Sequence, residues 1–152
     1  MSLDIQLGNV EQSAPETRLR PDRNRHYAVT EYGKPKKPEL PVFVDLDVMM
    51  DMEAHALSDT SVELGGVLLG QQSVDEAGEP FVWVTDALRA KHYEATKGSF
   101  KFTHDTWSQI SRERDEFPEG IQMVGWYHTH PDWGVFLSGM DQFICDHFFN
   151  SI

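Results

Sequence analysis

Sustained apolar patterning begins only after residue 40. Met1 to Leu40 is polar and broken by Pro15, Pro21, Gly33, Pro35 and Pro38, so residues 1–40 read as an arm or linker, within which His26 to Tyr32 can form an extended segment. From Pro41 the pattern predicts a short strand to Val44, then a helix capped by Asp45 or Asp47 and running to about Leu57. Glu63 to Gly70 is an apolar strand-like run in which Glu63 is the only charge. Phe81 to Leu88 predicts a second strand, pairing with the first across the turn residues Asp75 to Pro80. Between Ala90 and Thr103, the alternation of Phe100 and Phe102 after Gly98 and Ser99 suggests another strand. A helix from Thr103 or His104 to about Phe117 follows, with Trp107, Ile110 and Arg114 marking its faces. Ile121 to Thr129, β-branched and aromatic after a Pro-Glu-Gly turn signal, predicts a mostly buried strand. Residues 41–152 therefore read as one α/β domain.

Charge adds an asymmetry. The first forty residues hold seven Lys/Arg against six Asp/Glu, a net of plus one, so the total of minus twelve leaves about minus thirteen for the rest. That acidic surface disfavours nucleic acid and suits a basic partner. Lys34, Lys36 and Lys37 read as a solvated linker cluster. One cysteine leaves no intramolecular disulfide, and no N-terminal apolar stretch has the length of a signal peptide or membrane span, so the expected location is the cytoplasm, with no membrane contact. Cys145 falls among Phe143, Ile144 and Phe148 on a predicted helix and reads as packed rather than nucleophilic. No internal repeat is evident.

The chemistry lies between Gly125 and Asp141. His128 and His130 stand one residue apart on a predicted strand, so both imidazoles point to one face and can reach one ion. Pro131 ends the strand; Ser138 is placed to begin a helix whose first turn holds Asp141. Two imidazoles and a carboxylate leave one tetrahedral zinc position open for water, as catalytic sites require. Singly, each residue has an ordinary reading: Ser138 and Asp141 resemble a capping box, and a strand histidine is commonly a satisfied core residue. Their joint spacing favours a metal site. A hydrolytic site also needs a proton carrier, for which Glu63 is the best candidate, against its alternative as a solvated strand-end glutamate.

These residues resemble the JAMM, or MPN-plus, zinc metalloproteases, which include the deubiquitinating subunit of the proteasome lid and its bacterial and archaeal relatives. The family pattern, an upstream strand glutamate, then His-x-His-Pro, a serine with seven residues between it and the second histidine, and an aspartate three later, is matched at Glu63, His128, His130, Pro131, Ser138 and Asp141. Glu63 to Gly70 and Trp133 to Gly139 resemble the flanking segments, and the likeness runs from about Pro41 to the end. The resemblance implies an MPN fold, a cytidine-deaminase-like mixed sheet flanked by helices. It also implies hydrolysis after the C-terminal Gly-Gly of ubiquitin or a ubiquitin-like protein, whose conjugates would be the partners. One Zn2+ per chain would be held by His128, His130 and Asp141, with Glu63 carrying the proton and Ser138 donating to the oxyanion. Phe100 and Phe102 would line the substrate channel or form an ordinary edge strand. Trp133, Val135 and Phe136 would grip the substrate tail or pack the helix start.

Family members continue past the aspartate-bearing helix into at least one more core strand, whereas eleven residues follow Asp141 here. The domain is therefore expected to be truncated: either the sequence is a fragment, or the Tyr27 region or a partner subunit fills the gap. Processing of a Gly-Gly-ended sulfur-carrier protein would share all of this chemistry, whereas an inactive MPN scaffold should lack one or more ligands and is disfavoured by the complete set. A zinc nucleobase deaminase is disfavoured because its paired cysteine ligands are absent.

Overall fold

The computed structural model describes residues 14–32, 39–96 and 99–131. Its centre is an antiparallel pair, β3 (Gly65–Val74) and β4 (Pro80–Arg89), joined by the turn the sequence marks, with Gly78 at a φ of 77° that favours glycine. β2 (Val42–Val44) runs parallel to β4 on its outer side. Along the other edge of β3, β7 (Gln122–His128) pairs antiparallel with residues 65–70, and β1 (Glu16–Thr17) pairs parallel with Ser73 and Val74. The result is the mixed, helix-flanked sheet expected from the sequence.

Each face carries one helix. On one side α1 (Leu46–Ser58) sets Val48 and Met52 against Val82, Val84, Leu68 and Val124. On the other, α2 (His104–Arg114) sets Ile110 and Trp107 against Val67, Leu69, Met123 and Trp126. β7 serves both faces by alternation, and its ladder skips a residue: Leu68 opposes Gly125 but Leu69 opposes Met123, so Val124 is an extra, bulged position that lets Met123 and Trp126 share the α2 side. Without that bulge, Met123 and Trp126, three residues apart, would face opposite sides.

The helix ends qualify one expectation. Asp45 does occupy the N-cap of α1, yet its side chain makes no capping bond; it accepts a 2.7 Å hydrogen bond from the Trp83 indole instead, tying α1 to β4. Thr103 caps α2 through a reciprocal box with Thr106, and the helix ends at Arg114, a little before Phe117. β5 (Tyr93–Thr96) and β6 (Ser99–Phe102) pair antiparallel with each other, apart from the main sheet.

Part of the arm docks on the sheet. Beyond β1, Pro21 is buried, Arg20 lies over the Phe43 ring, and Tyr27 meets Trp83 edge-on at 5.3 Å. Arg23 reaches the buried carboxylate of Asp75 at 3.0 Å. Asp75 also accepts from the backbone of Ala77 and Glu79, and these bonds, the Glu79 one foremost, hold its pKa below the usual carboxylate value.

Close strand approach at the start of β3 depends on glycine. A Cβ at Gly66 would press into the Leu88 carbonyl oxygen and lie 2.8 Å from the Tyr127 ring. The carbonyl is fixed in the β3–β4 ladder and the ring is tied to His55, so neither yields easily. Gly66→Ala is expected to cost about 1–3 kcal/mol, as overpacked cores do, read as a lowered urea midpoint. An unchanged midpoint would show that β3, β4 and β7 can separate freely here.

Candidate metal centre

The β3–β7 ladder sets the site. Gly65 opposes His128, and the pairing continues one step past both strand ends: Thr129 N–H donates to the Leu64 carbonyl at 2.7 Å, and Leu64 N–H donates to Thr129 Oγ1 at 2.9 Å. In this register Glu63 falls opposite His130. Directly opposed residues of an antiparallel pair share a face, so Glu63, His128 and His130 are brought to one side of the sheet. Their ligating atoms all lie within 4.8 Å of one another.

The surroundings suit a cation. Glu63 is only 7% exposed, and both histidines are half-buried. A carboxylate withdrawn from water is costly unless something offsets its charge. The two imidazoles beside it supply nitrogen donors that zinc accepts at about 2.0–2.1 Å, and an ion held there would offset the carboxylate's charge. The residues present therefore fit a bound divalent ion. The Glu63 backbone N–H donates to the Thr96 carbonyl at 3.0 Å, which anchors the β5–β6 hairpin beside the site.

Aromatic rings line this end of the sheet. Phe100 stands over Gly65, where a Cβ would come within 2.9 Å of its ring. Phe102 stacks on Trp107 at 5.0 Å and meets Trp126 edge-on at 6.2 Å, so it packs into the cluster on the α2 side. Trp126 in turn stacks on His128.

Of the residues singled out in the sequence, Glu63, His128 and His130 come together, and Phe100 lies beside them. Trp133, Val135, Phe136, Ser138, Asp141, Cys145 and His147 lie outside the described residues. His92 and His104 flank the hairpin and are not among the grouped donors. Sequence reasoning missed Thr129, whose hydroxyl extends the ladder, and Trp126, whose position two before His128 on one strand face was the available signal.

Comparison with known proteins gives the family and the fold. The family model described as JAB1/Mov34/MPN/PAD-1 ubiquitin protease matches residues 39–148. COP9 signalosome complex subunit 5 of Eremothecium gossypii is 30% identical over 98 residues, covering 60% of this chain and 21% of that protein. The subunit 5 protein of Drosophila melanogaster is 27% identical over 113 residues, covering 72% of this chain and 34% of its own length. The chain thus spans about a fifth to a third of these curated relatives. A solution structure from Desulfitobacterium hafniense shares the fold, with a TM-score of 0.51, 23% identity, and coverage of 68% of this chain and 66% of that one.

On the opposite face of β7, Tyr127 and His55 of α1 share a 2.8 Å hydrogen bond between the hydroxyl and Nδ1. Burial pushes the Tyr127 pKa up to about 12, so the hydroxyl keeps its proton. Burial, reinforced by Arg89 and opposed by Asp51, holds the His55 pKa below 6.5. An unfolded His55 would thus bind a proton near pH 6.5, while the folded one binds it only at lower pH. The unfolded state holds more protons in that window, so this contribution to stability is complete above about pH 6.5 and is lost as pH falls. In metal-free protein the urea midpoint should drop from pH 7.5 to 5.5, and His55→Gln should flatten that drop. Equal pH slopes in the two proteins would refute the assignment.

Proposed function

Because the chain belongs to the JAB1/Mov34/MPN/PAD-1 ubiquitin protease family, we propose that it is a zinc-dependent hydrolase. Its substrate would be the peptide or isopeptide bond after the C-terminal Gly-Gly of ubiquitin or a ubiquitin-like protein. The observation that carries this reading is the convergence of Glu63, His128 and His130 at the paired ends of β3 and β7. Its relatives named as subunits of the COP9 signalosome support a further part of the proposal, that the protein works within a larger assembly.

His128 and His130, with Asp141 as the third ligand by family pattern, would hold the ion. Zinc, when bound, supplies Lewis acidity to a water and to the scissile carbonyl. Glu63 accepts the proton that the attacking water loses and returns it to the departing amine, which leaves neutral as the C–N bond breaks. Its near-complete burial limits its contact with bulk water. Ser138 donates a hydrogen bond to the tetrahedral oxyanion. The glycines of the substrate tail would let its backbone pass the Phe100 side of the site without a clash.

These roles separate by experiment. Purified protein should carry about one zinc per chain, and His128→Ala should lose both metal and turnover. Glu63→Gln should retain zinc while kcat on a ubiquitin C-terminal fluorogenic amide falls about 10²- to 10⁴-fold, the range for a lost proton carrier. Ser138→Ala should also retain zinc and lose about a hundredfold in kcat. Metal-loaded Glu63→Gln that turns over at the wild-type rate would remove Glu63 from the chemistry. Wild-type protein that folds without taking up zinc would defeat the hydrolase reading.

A further inference from the structure

Trp126, His128 and His130 occupy alternate positions along one side of the end of β7, and their rings stand in a row. The indole and the His128 imidazole are nearly parallel, 10° apart with centroids at 4.9 Å; the His130 ring follows at 4.5 Å and 33°. The outer member of this row is anchored. Trp126 packs into the cluster of Val67, Leu69 and Ile110, with Phe102 edge-on against it.

A histidine ring turns easily about its last torsion, whose energy profile is broad, so the surroundings must set its plane. Ligands of a metal are usually oriented by a hydrogen bond to the second ring nitrogen. Here a flat ring supplies a further restraint: tilting the His128 plane away from parallel would forfeit its stacked contact with the indole face. The indole face is also electron-rich, and an imidazole that donates to a cation becomes more positive, so the stack strengthens on loading.

We propose that Trp126 is a positioning residue of the metal centre, holding the His128 ring in the plane required for coordination and linking that plane to the core under α2. The proposal rests on the zinc reading given above. It also implies that flatness at position 126 matters more than volume.

The test is the zinc Kd, measured by competition with a chromophoric chelator, in wild type, Trp126→Leu, Trp126→Met and Trp126→Phe. Co2+ absorption bands would report ligand geometry in the same four proteins. Trp126→Leu and Trp126→Met should weaken zinc by about tenfold or more, as loss of an orienting neighbour does, and should alter the Co2+ bands. Trp126→Phe, which keeps a flat ring, should recover most of the affinity and the wild-type bands. Ile110→Ala, a cavity in the same cluster, should lower thermal stability and leave the Kd near wild type. Methionine adapts to irregular cores, so Trp126→Met keeps the test available should Trp126→Leu not fold. Equal affinities for Trp126→Met and Trp126→Phe would overturn the proposal, as would an Ile110→Ala loss as large as that of the Trp126 variants. A wild-type protein without zinc affinity would instead bring down the metal reading itself.

Discussion

The register between β3 and β7 is the constraint on which the candidate centre depends. Gly65 opposite His128 is what carries Glu63 to His130, although 66 residues of chain lie between Glu63 and His130. A slip of one residue would turn both imidazoles to the α1 face, where Tyr127 now meets His55, and would leave Glu63 alone. Several features resist that slip. The two hydrogen bonds between Leu64 and Thr129 lock the ladder beyond its formal ends. The Val124 bulge fixes where the pairing restarts. Gly65 and Gly66 let neighbouring strands and rings approach too closely for any side chain, so no other pair of β3 residues fits that position.

Alternation along β7 divides stability from chemistry. Trp126, His128 and His130 fall on the side of the α2 cluster, while Tyr127 faces the helix that covers the other side. The strand is thereby held from both faces, by an aromatic stack on one and a buried hydrogen bond on the other. That bond is made by groups whose burial favours their neutral forms, His55 without and Tyr127 with its proton. Neutral partners avoid placing a charge beneath a site that must itself receive a cation.

Elements with a clear apolar period were legible in the sequence. β3, β4, α2 and β7 all fall close to their expected spans because buried strands read as continuous apolar runs and α2 has a chemical start signal at Thr103. The donors were legible too, since His-x-His on a strand specifies one face. What was not legible depends on contacts between distant residues. β1 is two residues long, and the arm docks through Arg23 to Asp75, Arg20 over Phe43 and Tyr27 against Trp83, none of which leaves a periodic trace. Asp45 stands where a capping residue belongs, yet Trp83, 38 positions away, takes its carboxylate. Local pattern located the cap position; tertiary competition decided what the side chain does there.

The grouped donors also bear on why the metal and the fold belong together. Glu63 is almost fully buried at the point where the β3–β7 ladder ends, and burying a carboxylate beside two imidazoles opposes folding unless its charge is matched. A bound divalent ion matches it and adds bonds that no unfolded chain can make together, so binding strengthens the ladder through mass action. The dependence runs in both directions. The ladder assembles donors that lie far apart in sequence, and the ion relieves the electrostatic cost of assembling them. A site placed on an exposed loop would lack this reciprocity, because its carboxylate would be solvated and its backbone free to move. Locating the donors on paired strand ends, between a glycine pair and an aromatic wall, makes the geometry of the site a consequence of the same contacts that hold the sheet.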